Sequence, residues 1–154
     1  MPSATADHAI RALLVLARTP GCQFMRADEI AAATGAPRNY MAKTLNALAK
    51  AEIVTSERGP AGGFALAVEP RALTLARVID LFDATRPRSR CMLGNTPCNP
   101  QRPCAAHDCW TSVMNARRAP LMTTTIADLL AGDPVPAAAS PVRRESRASA
   151  IAAA

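Results

Sequence analysis

Apolar residues recur at helical spacing through the first half of the chain. From Thr5 to Ala17, Ile10, Leu13, Leu14 and Leu16 stand among alanines, the pattern of a first helix with one buried face. Thr5 is the natural N-cap, and Asp7 falls in the first turn, where a carboxylate complements the helix dipole. Thr19, Pro20 and Gly21 end this helix. A second, shorter helix is announced by Asp28, Glu29, Ile30 and the alanines to Ala33, and it stops at Gly35. Pro37 opens a third over Arg38 to Ala51. Its inward face is Tyr40, Met41, Leu45 and Leu48, which leaves Arg38, Asn39, Ala42, Lys43 and Asn46 to face elsewhere.

The pattern then shortens. Ile53 to Glu57 and Phe64 to Val68 read as two strands, and the turn between them, Arg58 to Gly63, is rich in residues that permit positive φ. A helix from Thr74 to Ala84 returns Leu75, Val78, Ile79 and Phe82 to the domain. Two short helices joined by a tight turn at Thr34 to Ala36, followed by a hairpin, outline a winged helix-turn-helix. The second helix of such a pair enters the major groove by its N-terminal residues, which selects Arg38, Asn39 and Lys43 as base or phosphate contacts. Arg58 at the wing tip, with Gly59 and Gly62 in the turn, is the second candidate DNA contact, because arginine suits a narrow minor groove or a phosphate.

Periodicity fails between Arg86 and Trp110. Four prolines with Gly94 and Asn95 forbid a regular helix or strand across most of this stretch, while Cys91, Cys98, Cys104, Cys109 and His107 fall within it. A segment with so little apolar material needs an external organiser, and clustered thiolates with an imidazole point to a metal centre. Cys22 and Cys109 read as packing thiols, with Cys109 close enough in sequence to Cys104 to act as a resolving thiol.

Helical patterning resumes at Trp110 to Arg118, where Trp110, Val113, Met114, Ala116 and Leu121 form an apolar stripe, and again from Thr124 or Thr125 to Leu130. Helices this short, outside the winged core, are seldom stable alone, so pairing with a second copy is expected. From Gly132 to Ala154, alanine, proline, serine and arginine dominate without periodicity, as in a disordered basic tail. The chain therefore divides into a winged helix-turn-helix domain (1–84), a cysteine-rich cluster-binding loop (85–109), dimerisation helices (110–131) and a tail (132–154). The fold class is mainly α with a small β-hairpin.

Composition narrows the partners. At 154 residues there is material for one ordinary core, and a net charge of +6 with a pI near 9.6 favours a polyanion. No charged-then-apolar leader and no bilayer-length apolar run stands out, so a cytoplasmic protein is expected, in which five cysteines read as reduced thiols. No nucleophile with an adjacent base, no paired carboxylates and no phosphate-cradling loop stands out; the wing glycines precede a strand, not a helix. Neither an enzyme nor a small-molecule substrate is expected.

The runs TADHAIRALLVLA, EIAAATGAPRNYMAKTLNALAKAEIVTSERGPAGGFAL, TLARVIDLF and TTTIADLL, with the cysteine loop between the last two, resemble the Rrf-two family of bacterial winged-helix regulators over roughly residues 5 to 131. Most specific is Ser56 to Phe64 following the helix pair. The resemblance implies a homodimer joined by the helix after the loop, and a DNA-binding repressor whose operator affinity is controlled by an iron-sulfur cluster. Cys91, Cys98 and Cys104, spaced C-x6-C-x5-C, match the three cluster cysteines. His107 stands where the family's iron-sulfur cluster regulator places a histidine ligand, and Asp7 where its nitric-oxide-sensing repressor supplies an aspartate from the partner's first helix. A histidine suits a 2Fe-2S cluster and a carboxylate would resemble the 4Fe-4S case; the fourth ligand stays open. Ala42 departs from the polar residue of the cluster regulator, and Pro120 is expected to kink or end the dimer helix early. Two alternatives remain: a thiol-disulfide switch of Cys98, Cys104 and Cys109 without a cluster, and a structural zinc module for DNA or protein interaction.

Overall fold

The structure is a computed structural model, and it describes residues 2–19, 21, 23–59, 61–83, 93 and 99–132. Among the described residues, six α-helices and one hairpin follow in order: α1 (Ala4–Arg18), α2 (Ala27–Thr34), α3 (Arg38–Lys50), β1 (Val54–Glu57), β2 (Gly63–Leu66), α4 (Leu75–Asp83), α5 (His107–Thr123) and α6 (Ile126–Ala131). A short 3-10 turn, Pro70–Ala72, leads into α4.

Helix α1 is the hub, touching α2, α3, α4, α6 and β2. Alanines make this possible: Ala6, Ala9 and Ala12 are fully buried and let neighbouring helices approach closely, while Leu13, Leu14 and Leu16 fill the core behind them. The expected N-cap at Thr5 is corrected to Ser3, whose Oγ accepts from the Ala6 N–H at 3.2 Å. Thr5 lies inside the first turn, and its hydroxyl serves another bond.

The α2–α3 turn forms as the sequence predicts. Gly35 takes the left-handed conformation, φ 68°, and its N–H and that of Ala36 return to the last carbonyls of α2. Pro37 occupies the N-cap position of α3. Met41, Thr44, Leu45 and Leu48 are buried on its inner side, and Tyr40, expected inward, is half-buried. The core closes with Ile30, Ile53, Val54, Leu73, Val78 and Ile126, and each large side chain so buried contributes about 1.5–3 kcal/mol.

In the wing, β1 and β2 pair antiparallel in the register Val54↔Leu66 to Glu57↔Gly63. A third piece of chain joins them. Met25 and Phe64 exchange both backbone bonds, at 3.0 and 2.8 Å. Gly63 is required there, because a Cβ would lie 2.3 Å from the Met25 carbonyl oxygen.

The C-terminal helices depart from expectation in three ways. Helix α5 begins at His107 rather than Trp110 and runs past Arg118, through Pro120, to Thr123. Proline removes only its own N–H, and the following residues re-pair: the Thr124 N–H donates to the Pro120 carbonyl at 2.9 Å. The inward stripe of α5 is His107, Trp110, Met114, Arg118 and Leu121, all half-buried, whereas Val113 and Ala116 face out. Helix α6 is not outside the winged core. Ile126 is wholly buried in it, and residues 73–75 and 124–126 are stitched by Leu75 N–H to Thr124 O and Ile126 N–H to Leu73 O, both 2.9 Å. The expected tail lies outside the described residues from position 133 onward.

Candidate nucleic-acid interface and metal centre

Burial of one side of α3 dictates what its other side presents. With Met41, Thr44, Leu45 and Leu48 inward, Arg38, Asn39, Lys43 and Asn46 are exposed, and Ala42 is half-buried between them. Asn39 and Lys43 are one turn apart, so they share a face with Arg38 beside them. The Arg38 guanidinium lies 3.9 Å from the Asp28 carboxylate of α2, a loose pair with three quarters of the Arg38 side chain in water. An Arg in that state is available to a stronger anion.

The hairpin carries the second group. Arg58 and Gly59 are exposed at its tip, Gly59 has φ 119°, and the Gly62 N–H closes the turn onto the Gly59 carbonyl at 3.1 Å. Gly62 admits no side chain, since a Cβ would meet the Glu57 carbonyl oxygen at 2.3 Å.

Of the predicted metal ligands, Cys91 and Cys98 lie outside the described residues. Cys104 and His107 are described and adjoin: both are half-buried at the head of α5, and the His107 N–H donates to the Cys104 carbonyl at 2.9 Å. A thiol and an imidazole on one turn fit two ligands of a cysteine-held centre. Cys109, on the first turn of α5, is exposed. Asp7 lies elsewhere on the chain, on the outer side of α1, where its Oδ2 accepts from Arg11 Nε at 2.9 Å. Among the described residues no three metal-type side chains come together. Asp7 therefore does not join Cys104 and His107 within one chain.

Periodicity missed one cluster. Thr5 and His8 of α1 meet Tyr40 of α3, next to the exposed Arg38 and Asn39. The available signal was Tyr40 itself, since a phenol on a helix's inner face needs a partner for its hydroxyl.

A helix-turn-helix backed by a two-stranded wing, with a basic, exposed first turn on its second helix, defines a winged-helix DNA-binding protein. The family model described as Rrf2, iron-dependent transcriptional regulator, matches residues 3–132, and the chain belongs to that family. A protein of Aquifex aeolicus (strain VF5) described as an HTH-type transcriptional regulator is 33% identical over 130 residues, covering 83% of this chain and 90% of the relative. One from Mycobacterium tuberculosis (strain ATCC 25618 / H37Rv) is 31% identical over 131 residues, 84% and 81% of the two chains. Among solved structures, CymR, the global cysteine regulator of B. subtilis, superposes with a TM-score of 0.71 at 23% identity, covering 85% of this chain and 96% of its own. IscR of T. potens gives 0.66 at 24% identity, covering 85% and 86%. These likenesses establish the winged-helix fold, and the family and its relatives are transcriptional regulators, not enzymes. Among the described residues no helix is long and apolar enough to cross a membrane.

Proposed function

We propose that this transcriptional regulator is a homodimeric repressor whose operator affinity is set by an iron-sulfur cluster, 2Fe-2S or 4Fe-4S. Cys91, Cys98 and Cys104 would hold it, with His107 or the partner's Asp7 as fourth ligand. The observation that supports this reading is the Cys104–His107 turn, a half-buried cysteine and a half-buried histidine joined by a backbone hydrogen bond at the head of α5. A thiolate-held cluster supplies one-electron redox chemistry and a dependence on iron supply, and nitric oxide is the third signal we assign to it.

The chain's own residues do the rest. Arg38 and Asn39 suit bidentate contact with guanine and adenine, and Lys43 suits phosphate. Arg58 enters the minor groove or forks onto phosphate while Gly59 and Gly62 let the wing tip come close. Val113 and Met122 leave about half of their surface exposed, at 51% and 52%, on opposite flanks of α5, and we assign the helix they flank to contact with a second copy. Two recognition helices would then fall one helical turn of DNA apart. Such a regulator works in the cytoplasm, where bacterial DNA is.

Anaerobic purification of the native chain and of Cys98→Ala, with visible absorption, iron and sulfide content, tests the cluster. A brown native protein with matching iron and sulfide, colourless in the mutant, is expected, together with a change in operator affinity on cluster loss. Equal affinity with and without cluster sinks the sensing mechanism. A colourless protein whose DNA binding follows reductant assigns Cys98, Cys104 and Cys109 to a thiol-disulfide switch, and stoichiometric zinc assigns a structural zinc module.

A further inference from the structure

The residues assigned above to base recognition, Arg38 and Asn39, sit in the first turn of α3, where Met41 is fully buried and Tyr40 is half-buried against α1. Its phenolic hydroxyl shares a hydrogen bond with the Thr5 hydroxyl in the first turn of α1. Its ring meets His8 edge to face, with centroids 5.5 Å apart and planes at 73°. The His8 Nδ1 is buried and finds no hydrogen-bond partner among the described residues, so ring contact and shape hold the imidazole in place. Elsewhere α1 buries alanines at Ala6, Ala9 and Ala12. Such small side chains allow close approach but give little rotational register, whereas a hydroxyl pair is directional.

The start of α1 is tied in turn to the end of α4. The Ser3 N–H donates to Asp83 Oδ2 at 3.0 Å, and the same Ser3 caps α1 through its Oγ. Asp83 is the last residue of α4, and the chain passes from it into the segment bearing Cys91 and Cys98.

We propose that Tyr40 is a positioning residue for DNA recognition: the Ser3–Asp83 bond and the Thr5–Tyr40 hydroxyl pair connect the end of α4 to the first turn of α3 and set the angle at which Arg38 and Asn39 are presented. The inference rests on the assignment of Arg38 and Asn39 to DNA contact.

The test uses the full-length chain and a duplex that the native protein selects from a randomised pool. Thr5→Val and Tyr40→Phe each remove one hydroxyl and keep the shape. Loss of one neutral hydrogen bond corresponds to about a fivefold fall in affinity. Each single variant is expected to lose that factor, the double variant no more than either, and Thr5→Ser to bind as the native chain does. Native affinity in both singles, or losses that multiply in the double, overturns the proposal.

Hydrogen exchange supplies a readout without DNA. The Tyr40 and Met41 amides donate to the Pro37 carbonyl at 3.0 and 2.9 Å, and both are expected to exchange faster in Thr5→Val and in Asp83→Ala, with α2 amides unchanged. Unchanged exchange in either variant overturns the connection. If no duplex is selected, the DNA-contact assignment fails, and exchange alone decides the connection.

Discussion

Arg118 of α5 grips Asp80 of α4 with both arms of its guanidinium, Nη1 to Oδ1 at 3.0 Å and Nη2 to Oδ2 at 2.6 Å. The contact spans 38 residues and the whole cysteine segment, so it fixes the far side of that segment to the near side. Hydrogen bonding to Asp80, reinforced by its charge, raises the Arg118 pKa further above the ordinary guanidinium range. The pair is partly exposed, so solvent screens it, and Arg118→Ala is expected to cost about 1 kcal/mol in chemical denaturation. Lysine would keep the charge and lose the fork, so Arg118→Lys should recover only part of this. A loss indistinguishable from zero, or full recovery by lysine, contradicts a bidentate clamp.

Ile126 is predicted to be a core residue of the winged domain rather than an accessory one. Ile126→Ala removes a fully buried side chain between α1 and the α4 entry and should destabilise the fold by about 2–5 kcal/mol. The measurement is the urea midpoint of the full chain across a range of protein concentrations. A loss that disappears on dilution would place Ile126 in an interface instead.

Gly63→Ala is predicted to loosen the wing. Its new Cβ would overlap the Met25 carbonyl, backbone against backbone, with neither side free to rotate away. A cost of about 3 kcal/mol is expected, with faster exchange of the Met25 and Phe64 amides. Gly35→Ala is the control. Alanine there is strained by the left-handed backbone, φ 68°, which Gly63 does not share, but its Cβ meets nothing within 4 Å, so the wing amides should keep their protection.

The α6 cap carries a pH dependence. Backbone hydrogen bonding from Thr125, then its hydroxyl, and more weakly the charge of Arg71, hold the Asp128 carboxyl below the usual carboxylate range. A depressed folded value means that the cap stabilises above the unfolded carboxyl pKa, about 4, and that this contribution disappears as pH falls through the folded value. Asp128→Asn should therefore lower the melting temperature near neutral pH, and the difference from the native chain should shrink on acidification. A difference that grows on acidification refutes this sign.

Local signals explain what could be read from the sequence. Gly35 and Pro37 mark the α2–α3 turn, a glycine-rich run marks the wing, and apolar spacing alone turns Arg38, Asn39 and Lys43 outward. What could not be read depends on distant partners. Ser3 and Thr5 are equally good caps in isolation, and the choice between them is made by Tyr40 and Asp83, far along the chain. Ile126 looks like any apolar residue of a short helix until Leu73 and Leu75 supply the backbone bonds that seat it. His107, Asp108 and Cys109 are poor helix formers, so the head of α5 had no local mark.

The backbone exchange between Met25 and Phe64 removes any hinge from the wing. That hairpin is fastened at one end to the entrance of α2 and at the other to the exit of α3, where the Ile53 N–H holds the Leu48 carbonyl at 3.0 Å. Arg58 and Arg38 are thus two jaws of a calliper with a fixed opening. A tilt of the recognition helix must carry the wing with it, so under the DNA contacts proposed above a duplex whose two grooves do not match that gauge would be refused by both jaws at once.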